Sequence, residues 1–412
     1  MHNVCTASTR RAGVCLALGT FAVAHTQSAT ANSVAEWNEI AVATVRKPNW
    51  PLLRRERTLA MAQVAVYEAS NAIRPRYVAS QLAVSGDTGA SLRAAVVEAA
   101  YRVLLNQVPE DSIGLTAARA QSMAVVAEGL AKSAGVTTGA LAARAVLTWR
   151  ANDGADWTPT YQQRRAPGAY QPTSTQPMDA PLAVRMKPFA LRSIAQFRAA
   201  PPPAITSAEF ARDLREVQEL GGSRSTARSQ DQAQQALFFQ TPGFYPWNEI
   251  ARKAIAANNL DESSAAHVLM LLDVGIMDVQ LAAWDAKYAY DAWRPVTAIH
   301  TGGTPGSAPD SDWMPLIPTP MHPEYTCGHC TTGSAARTIL SSIFGSKEFA
   351  FDISQNGFTR HFLSFEDFSM QESNARLFGG VHFRYSMRAG EEEGRKVAQY
   401  VLSSAAKPIR AR

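Results

Sequence analysis

The chain has 412 residues, 46% of them hydrophobic and 18% charged, with a formal charge of +5. So small a charge on so long a chain argues against nucleic acid as the main partner. The apolar fraction is ample for the core of one large domain or two packed units.

At the N-terminus, Arg10 and Arg11 precede an apolar run from Ala12 to Ala24, and a polar stretch then ends in Ala29-Thr30-Ala31. That is a signal-peptide layout. The run is about half of the ~20 residues a membrane span needs. We therefore expect cleavage near Asn32, export to the periplasm or the medium, and a soluble mature protein. Arg10-Arg11 after Thr9 also hints at a twin-arginine signal. Cleavage removes these two arginines and no acids, which leaves a charge of +3. No stretch beyond residue 31 reads as a membrane span. Cys5 and Cys15 depart with the leader, so Cys327 and Cys330 remain. Two cysteines cannot staple a fold of this size, and their closeness assigns them to a local feature: a small disulfide, a metal half-site or a redox pair.

Apolar residues recur at helical spacing in Trp37 to Val45, Leu59 to Ile73, Leu92 to Val108, Leu115 to Ala134 and Leu141 to Trp149, and alternating β-branched runs are almost absent. From Gly154 to Met186 the sequence turns to Pro, Gln, Thr and Tyr without periodicity, which reads as a wrapping or functional loop. Pro201-Pro202-Pro203 is a second breaker. Ser207 then reads as the N-cap of a helix with Glu209 and Asp213 early in it. Further helices are predicted over Trp247 to Ala257, Ser263 to Trp293, Gly328 to Phe344, Glu372 to Val381 and Glu391 to Leu402, with Gly302 to Pro323 a loop. The architecture is all-α, helices packed as bundles. Its expected organisation is a leader over 1–31, a helical region over 32–258 that carries the long loop 154–186, and a helical core over 259–412 that carries the site.

Chemistry concentrates in that core. Lys287 and Arg294 are seven apart on a continuous helical pattern, so two turns bring both cations to one face before Pro295 stops the helix. Such pairs are usually solvated. Here Trp284, Tyr288 and Trp293 make the surroundings part-buried, where an unpaired cation is costly. Next, Pro323-Glu324-Tyr325-Thr326-Cys327-Gly328-His329 leads into a helix whose free N-terminal amides favour an anion, with Gly328 allowing close approach. His329 stands there as donor or acid-base group, or as the cap of a buried turn. Arg376 and His382, six apart, converge only if the backbone bends, which Gly379-Gly380 permits. Three cations, a helix N-terminus and two histidines describe an oxyanion pocket, each charge-assisted bond contributing on the order of 1.5 to 3 kcal/mol.

These three segments resemble the signature K-x6-R-P, P-S-G-H, S-R-x5-H of the superfamily of vanadium haloperoxidases and type 2 phosphatidic acid phosphatases. The first reads Lys287 to Pro295, the second ends Cys327-Gly328-His329, and the third has Arg376 and His382, with Ser373 displaced from beside the arginine. The resemblance implies that Lys287, Arg294 and Arg376 neutralise the equatorial oxygens of a bound oxyanion and that the Gly328 amide adds a donor. It implies that His382 bonds the central atom, vanadium in a haloperoxidase or phosphorus in a phosphatase, and that His329 is the acid-base residue.

Trp37 to Ile73 and Pro188 to Phe239 look like bacterial haloperoxidase-type proteins, which extends the resemblance over most of the chain. The implied function is therefore halide oxidation by hydrogen peroxide on vanadate, with a small organic substrate as acceptor. The runner-up is a phosphomonoesterase that forms a phosphohistidine and needs no cofactor. Trp284 occupies a position that is tryptophan in the fungal chloroperoxidases, and His322 one that is histidine in the algal bromoperoxidases. They are expected to line the halide or substrate pocket and to favour bromide or iodide, unless His322 simply caps its loop. A homodimer is common among helix-bundle relatives.

Cys327 departs from the family's serine: a thiol is a weaker donor, and a disulfide to Cys330 would donate nothing. The run Cys327-Gly328-His329-Cys330 also spells a thiol-disulfide oxidoreductase motif, though without the strand that normally precedes it. A third reading is a non-catalytic anion binder, for which neither His329 nor His382 is needed. Asp273, Asp278 and Asp285 are candidates for the acid that orients Arg376 or His329, and each also reads as a surface or local pairing residue.

Overall fold

The computed structural model describes residues 32–46, 50–78, 80–304, 307–345, 349–405 and 407–409. The leader and its cleavage site lie outside these residues. From Asn32 to Arg412 the chain forms one compact unit.

Its helices are α1 (Ser33–Val45), α2 (Leu52–Ile73), α3 (Leu92–Gln107), α4 (Ser112–Ala124), α5 (Leu130–Arg150), α6 (Ala208–Gly221), α7 (Gln230–Phe238), α8 (Phe244–Ala257), α9 (Glu262–Tyr290), α10 (Pro295–His300), α11 (Gly328–Phe344), α12 (Phe365–Phe378) and α13 (Arg384–Ser404). Side-chain caps start many of them. Asn32, Ser91, Ser207, Asp261 and Ser364 each accept a hydrogen bond from a free backbone amide, and Ser229 with Gln232 forms a full capping box on α7.

The helix α9 is the spine. It packs on α2, α11 and α13, while α3 joins α2 to α5. Helix α9 has 29 residues and an 18-residue stretch of mean hydropathy 1.5, so by length and composition it could cross a membrane, contrary to expectation, but in this fold that stretch is 94% buried. A helix apolar all round belongs in the centre of a large core. On α13, Gly390 and Gly394 press onto the start of α11: a Cβ at either would stand 2.8 Å from the Cys327 carbonyl or 2.3 Å from that of Thr331. Only glycine permits this approach, and it fixes where the N-terminus of α11 points.

Besides the earlier starts of α2, α12 and α13 and the end of α12 at Phe378 instead of Val381, three features differ from the predicted ones. The run Leu115 to Ala134 is broken, because α4 ends at Ala124 and α5 starts after Gly129, whose φ of 138° no other residue adopts easily. The helix α9 ends at Tyr290, not Trp293, because Asp291 turns into the left-handed region (φ 52°, ψ 42°) while its carboxylate accepts bonds from Tyr161 Oη at 2.6 Å and Arg164 Nε at 2.9 Å. Pro295 therefore opens the next helix as its first residue instead of stopping this one.

The third difference is a β-hairpin. Strands β1 (Phe351–Gln355) and β2 (Phe358–Phe362) pair antiparallel, with Phe351 opposite Phe362 and Gln355 opposite Phe358. The Asn356-Gly357 turn has positive φ at both positions, 52° and 81°. Asn-Gly flanked by alternating apolar residues is a hairpin signal that was present in the sequence.

The loop from Ala151 to Ser207 wraps the bundle and is pinned by buried charge. Asp153 Oδ2 accepts from Arg57 Nε and from Arg150 Nε, both at 2.8 Å. Asp278 on α9 accepts from the amides of Phe189, Ala190 and Leu191 at 2.6 to 2.8 Å.

Candidate active site

The end of α9, the loop before α11, the first residues of α11 and the α12–α13 junction meet around one cavity of about 420 Å³. Its lining includes Trp284, Lys287, His322, Gly328, His329, Arg376 and His382, and α2 closes the opposite wall with Leu52, Arg55 and Glu56. A volume of this size suits a small ligand.

Lys287 is 1% exposed and spends its three N–H groups on backbone carbonyls: Pro323 at 3.3 Å, Glu324 at 3.0 Å, and Thr326. It thereby ties α9 to the turn before α11, where the Tyr325–Thr326 peptide is cis. Arg294, fully buried, donates from Nε to the His322 carbonyl at 2.9 Å and from Nη1 to the Val381 carbonyl at 2.8 Å. Arg376, 3% exposed, donates to the Phe239 carbonyl at 3.0 Å, and its Nε–H has no partner. None of the three forms an ion pair among the described residues. Burial lowers all of them, and the Arg294 charge adds to this for Lys287 and Arg376: Lys287 falls well below the usual range and both arginines to about 10. An uncompensated buried cation cluster of this kind recovers its charge when an anion enters.

The bend that sequence spacing requires is made at Gly380, whose φ is 78°, just after α12 ends. It returns His382 to the cavity. There Nδ1 lies 2.7 Å from Glu324 Oε1, which also accepts the Phe383 amide at 3.1 Å. Arg294 Nη1, which can only donate, lies 3.2 Å from His382 Nε2. The tautomer follows: Nδ1 carries the proton, and Nε2 is unprotonated and accepts from Arg294. Burial and the surrounding cations hold His382 well below the usual histidine range, so the ring is neutral.

His329 stands at the start of α11, with Nε2 3.2 Å from the Thr241 carbonyl. A carbonyl only accepts, so Nε2–H donates and Nδ1 is free to take a proton. Burial and Arg376 keep this ring neutral too. His322 Nδ1 lies 2.9 Å from both the Pro323 carbonyl and Arg294 Nη2, and its Nε2 lies 3.2 Å from the same Nη2. It meets Trp284 edge to face, ring centroids 4.7 Å apart. The two residues expected to shape the halide pocket are thus neighbours, with the Trp284 Nε1–H buried and unpartnered.

Gly328 begins α11, and the nearest atom to a Cβ there would be Gln280 Oε1 at 3.9 Å, so open space adjoins its Cα. Cys327 caps the helix through Sγ, which accepts the Cys330 amide at 3.3 Å. It is bonded to Cys330 in a disulfide, S–S 2.01 Å, and is 0% exposed. Of the alternatives the sequence left open, the cysteines form a local disulfide, and the hydroxyl donor of the family's serine has no counterpart at this position. Among the described residues no cluster of His, Cys, Asp or Glu is arranged to hold a metal ion. Ser373 does not reach the cavity, since its hydroxyl donates to Glu391 Oε1 at 2.5 Å.

The acids expected from α9 do not serve the site, and none lies at the surface. Asp273 accepts from Asn248 Nδ2 at 2.7 Å, Asp278 holds the wrapping loop, and Asp285 takes both arms of Arg198 at 2.5 and 2.8 Å. Three glutamates do this work instead. Glu324 orients His382. Glu372 sits against Arg376, accepts from Trp247 Nε1 at 2.9 Å, and is raised by burial to about 8. Glu393 accepts from Thr326 Oγ1 at 2.7 Å behind Lys287, and burial raises it to about 7. The signal for Glu324 was its place inside the anion-binding segment itself, beside Pro323.

Comparison with known proteins agrees with this geometry. Residues 267–411 match the family described as the VCPO second helical-bundle domain. The vanadium chloroperoxidase of Curvularia inaequalis is 24% identical over 268 residues, 47% of this chain and 44% of that one, so the match spans less than half of that relative. The crystal structure of a bacterial vanadium-dependent iodoperoxidase superposes with a TM-score of 0.78 at 25% identity, over 90% of this chain and 96% of that one. A holo-type bacterial vanadium-dependent chloroperoxidase gives 0.69 at 18% identity over 87% and 95%, a likeness of fold.

Proposed function

We propose that this chain, a protein of the vanadium haloperoxidase type by its fold and by its three-part site, oxidises halide with hydrogen peroxide at a vanadate held on His382. The observation that carries the reading is the set of three buried cations that form no ion pair among the described residues, gathered at a buried histidine whose Nε2 is unprotonated. The likeness to a bacterial iodoperoxidase over nine-tenths of the chain favours this chemistry over phosphate ester hydrolysis.

The residues fit a compact oxyanion. Lys287, Arg294 and the unpartnered Nε–H of Arg376 would hold its oxygens, the Gly328 amide would add a donor, and His382 would bind the central atom through Nε2. Vanadate bound there supplies the Lewis acidity that activates peroxide. The protein's part is positional and acid-base. Glu324 fixes the His382 tautomer and increases its basicity, as carboxylates behind ligand histidines do. Neutral His329 accepts a proton at Nδ1 from incoming peroxide. His322 and Trp284 form the wall that meets the halide, and the His322 ring favours bromide or iodide. Export fits a buried disulfide, which persists in an oxidising compartment.

The test is dye bromination by bromide and hydrogen peroxide on residues 32–412 loaded with orthovanadate, with aryl phosphate hydrolysis in parallel. Bromination that needs vanadate and disappears in His382→Ala supports the proposal. Hydrolysis that vanadate inhibits, without bromination, moves the protein to the phosphatase branch.

A further inference from the structure

The cavity wall opposite the cation cage is built by α2, and it carries a group that the cage chemistry does not use. Glu56, on the second turn of α2, is 3% exposed and lines the cavity. Its Oε2 is buried without a hydrogen-bond partner, and the carboxyl forms no ion pair among the described residues. Beside it, Arg55 turns its guanidinium to Tyr245 Oη at 3.2 Å. From α9, Asp273 approaches Glu56 with one carboxylate oxygen bound to Asn248 and the other buried and unpartnered. Two acids buried side by side resist ionising together. Burial and Asp273 push Glu56 well above the usual carboxylate range, and Arg55 offsets this only in part. Asp273 itself rises to about 7.

Across the cavity stand the cations Lys287 and Arg376, the neutral rings of His322, His329 and His382, and Asp179, another acid raised by burial. Before peroxide arrives the three histidines are deprotonated and the cations are committed to the oxyanion, which leaves Glu56 and Asp179 as the carboxyls of the lining. Burial raises Glu56 the further of the two, and its Oε2 has no partner to hold it.

We propose that Glu56 is the proton supplier of this cavity, delivering the proton that halide oxidation consumes. The role rests on the halide-oxidation reading above. In the balanced reaction the halide gives two electrons to peroxide and the O–O bond breaks. One oxygen leaves bonded to the halogen as the hypohalous acid, and the proton that His329 took from peroxide returns to it. The other takes the Glu56 proton and leaves as water, and the Glu56 carboxylate is reprotonated from water entering the cavity.

Glu56→Gln keeps the volume and removes the titratable proton, and Glu56→Asp keeps the proton on a shorter stem. Orthovanadate affinity, read by tryptophan fluorescence, is expected to stay within about twofold, because Glu56 stands on the wall away from the cage. The kcat for bromide oxidation should fall in Glu56→Gln by on the order of tenfold or more at acidic pH, with partial recovery in Glu56→Asp. The ratio of wild-type to Gln-variant kcat should shrink as pH rises and wild-type Glu56 ionises. An infrared band for a protonated carboxyl, present in the wild type at neutral pH and missing from Glu56→Gln, should accompany this whether or not vanadate is loaded. A pH-independent ratio, or no difference in that band, overturns the assignment. A wild type that binds orthovanadate yet oxidises no halide overturns the function proposed above and this role with it. A wild type that turns over while Glu56→Gln matches it at every pH overturns Glu56 alone.

Discussion

Replacing Lys287 by methionine tests the cage at the residue whose electrostatics are most lopsided. All three N–H groups of the ammonium are occupied by carbonyls, and the weakest of these bonds is to Pro323 at 3.3 Å. Anion binding therefore exchanges that bond for a charge-assisted one. The exchange is worth about 1.5–3 kcal/mol for the new bond less about 0.5–1 for the old, so about 1–2 kcal/mol. That corresponds to orthovanadate or phosphate binding about 5- to 30-fold more weakly in Lys287→Met. Titration calorimetry in buffers of different ionisation enthalpy adds a second readout. In the anion-free protein burial and Arg294 hold Lys287 well below its usual range, and a bound oxyanion restores it. Binding to the wild type should take up protons increasingly as the pH rises into the range where the empty site has lost its proton, and Lys287→Met should lack this component. Affinity within twofold of wild type, or a wild type that takes up no proton at alkaline pH, would refute the reasoning.

Three other outcomes follow from the same geometry. Cys327→Ser combined with Cys330→Ala removes the disulfide, keeps a good N-cap on α11 and returns a hydroxyl donor, so orthovanadate should bind about 2- to 10-fold more tightly, as a neutral hydrogen bond of about 0.5–1.5 kcal/mol predicts. Asp153→Asn leaves the buried guanidinium groups of Arg57 and Arg150 without their shared carboxylate, and it should cost about 3–5 kcal/mol in denaturant unfolding. Glu372→Gln should gain stability over wild type as pH rises from 4.5 towards 8 in the anion-free protein. The folded-state value of Glu372 is raised from 4.5 to about 8, so the folded state binds the extra proton across that window and wild-type stability falls through it, whereas glutamine has none to lose. Thermal unfolding at pH 5 and pH 8 measures the difference.

The helices were legible because their apolar spacing is local, and so was the cation cage, whose three signature segments each hold their residues within a few turns. What escaped was everything decided by partners far along the chain. Glu324 lies 58 residues from His382, and no spacing rule connects them. The aspartates of α9 share a helix with Lys287 and so were candidate site acids, but Asp273 faces α8 and Glu56, while Asp278 and Asp285 face the wrapping loop. The end of α9 was misplaced for the same reason. The residue that stops it, Asp291, is held by Tyr161 and Arg164 from a loop that shows no periodicity of its own. The hairpin is the exception, since its Asn356-Gly357 turn and alternating flanks were readable locally.

The arrangement carries a thermodynamic consequence. Three cations, two of them drawn down to about 10, and four carboxyls raised to between about 7 and about 8 are held out of water in one region of the bundle. Such a cluster costs stability when empty. The cost is offset by packing that has nothing to do with the anion: the glycine contacts that press α13 onto α11, and the carboxylates that bind the wrapping loop to α2, α5 and α9. An oxyanion entering the cage completes the charge balance, so it acts as a folding ligand as well as a cofactor. At about 100 times its Kd, orthovanadate should add on the order of 2.7 kcal/mol to unfolding. In Lys287→Met the same concentration should add less, in proportion to the affinity lost. A thermal shift that is equal in the two proteins would mean that the anion binds elsewhere, and the cavity between α2 and α11 would lose its claim to be the site.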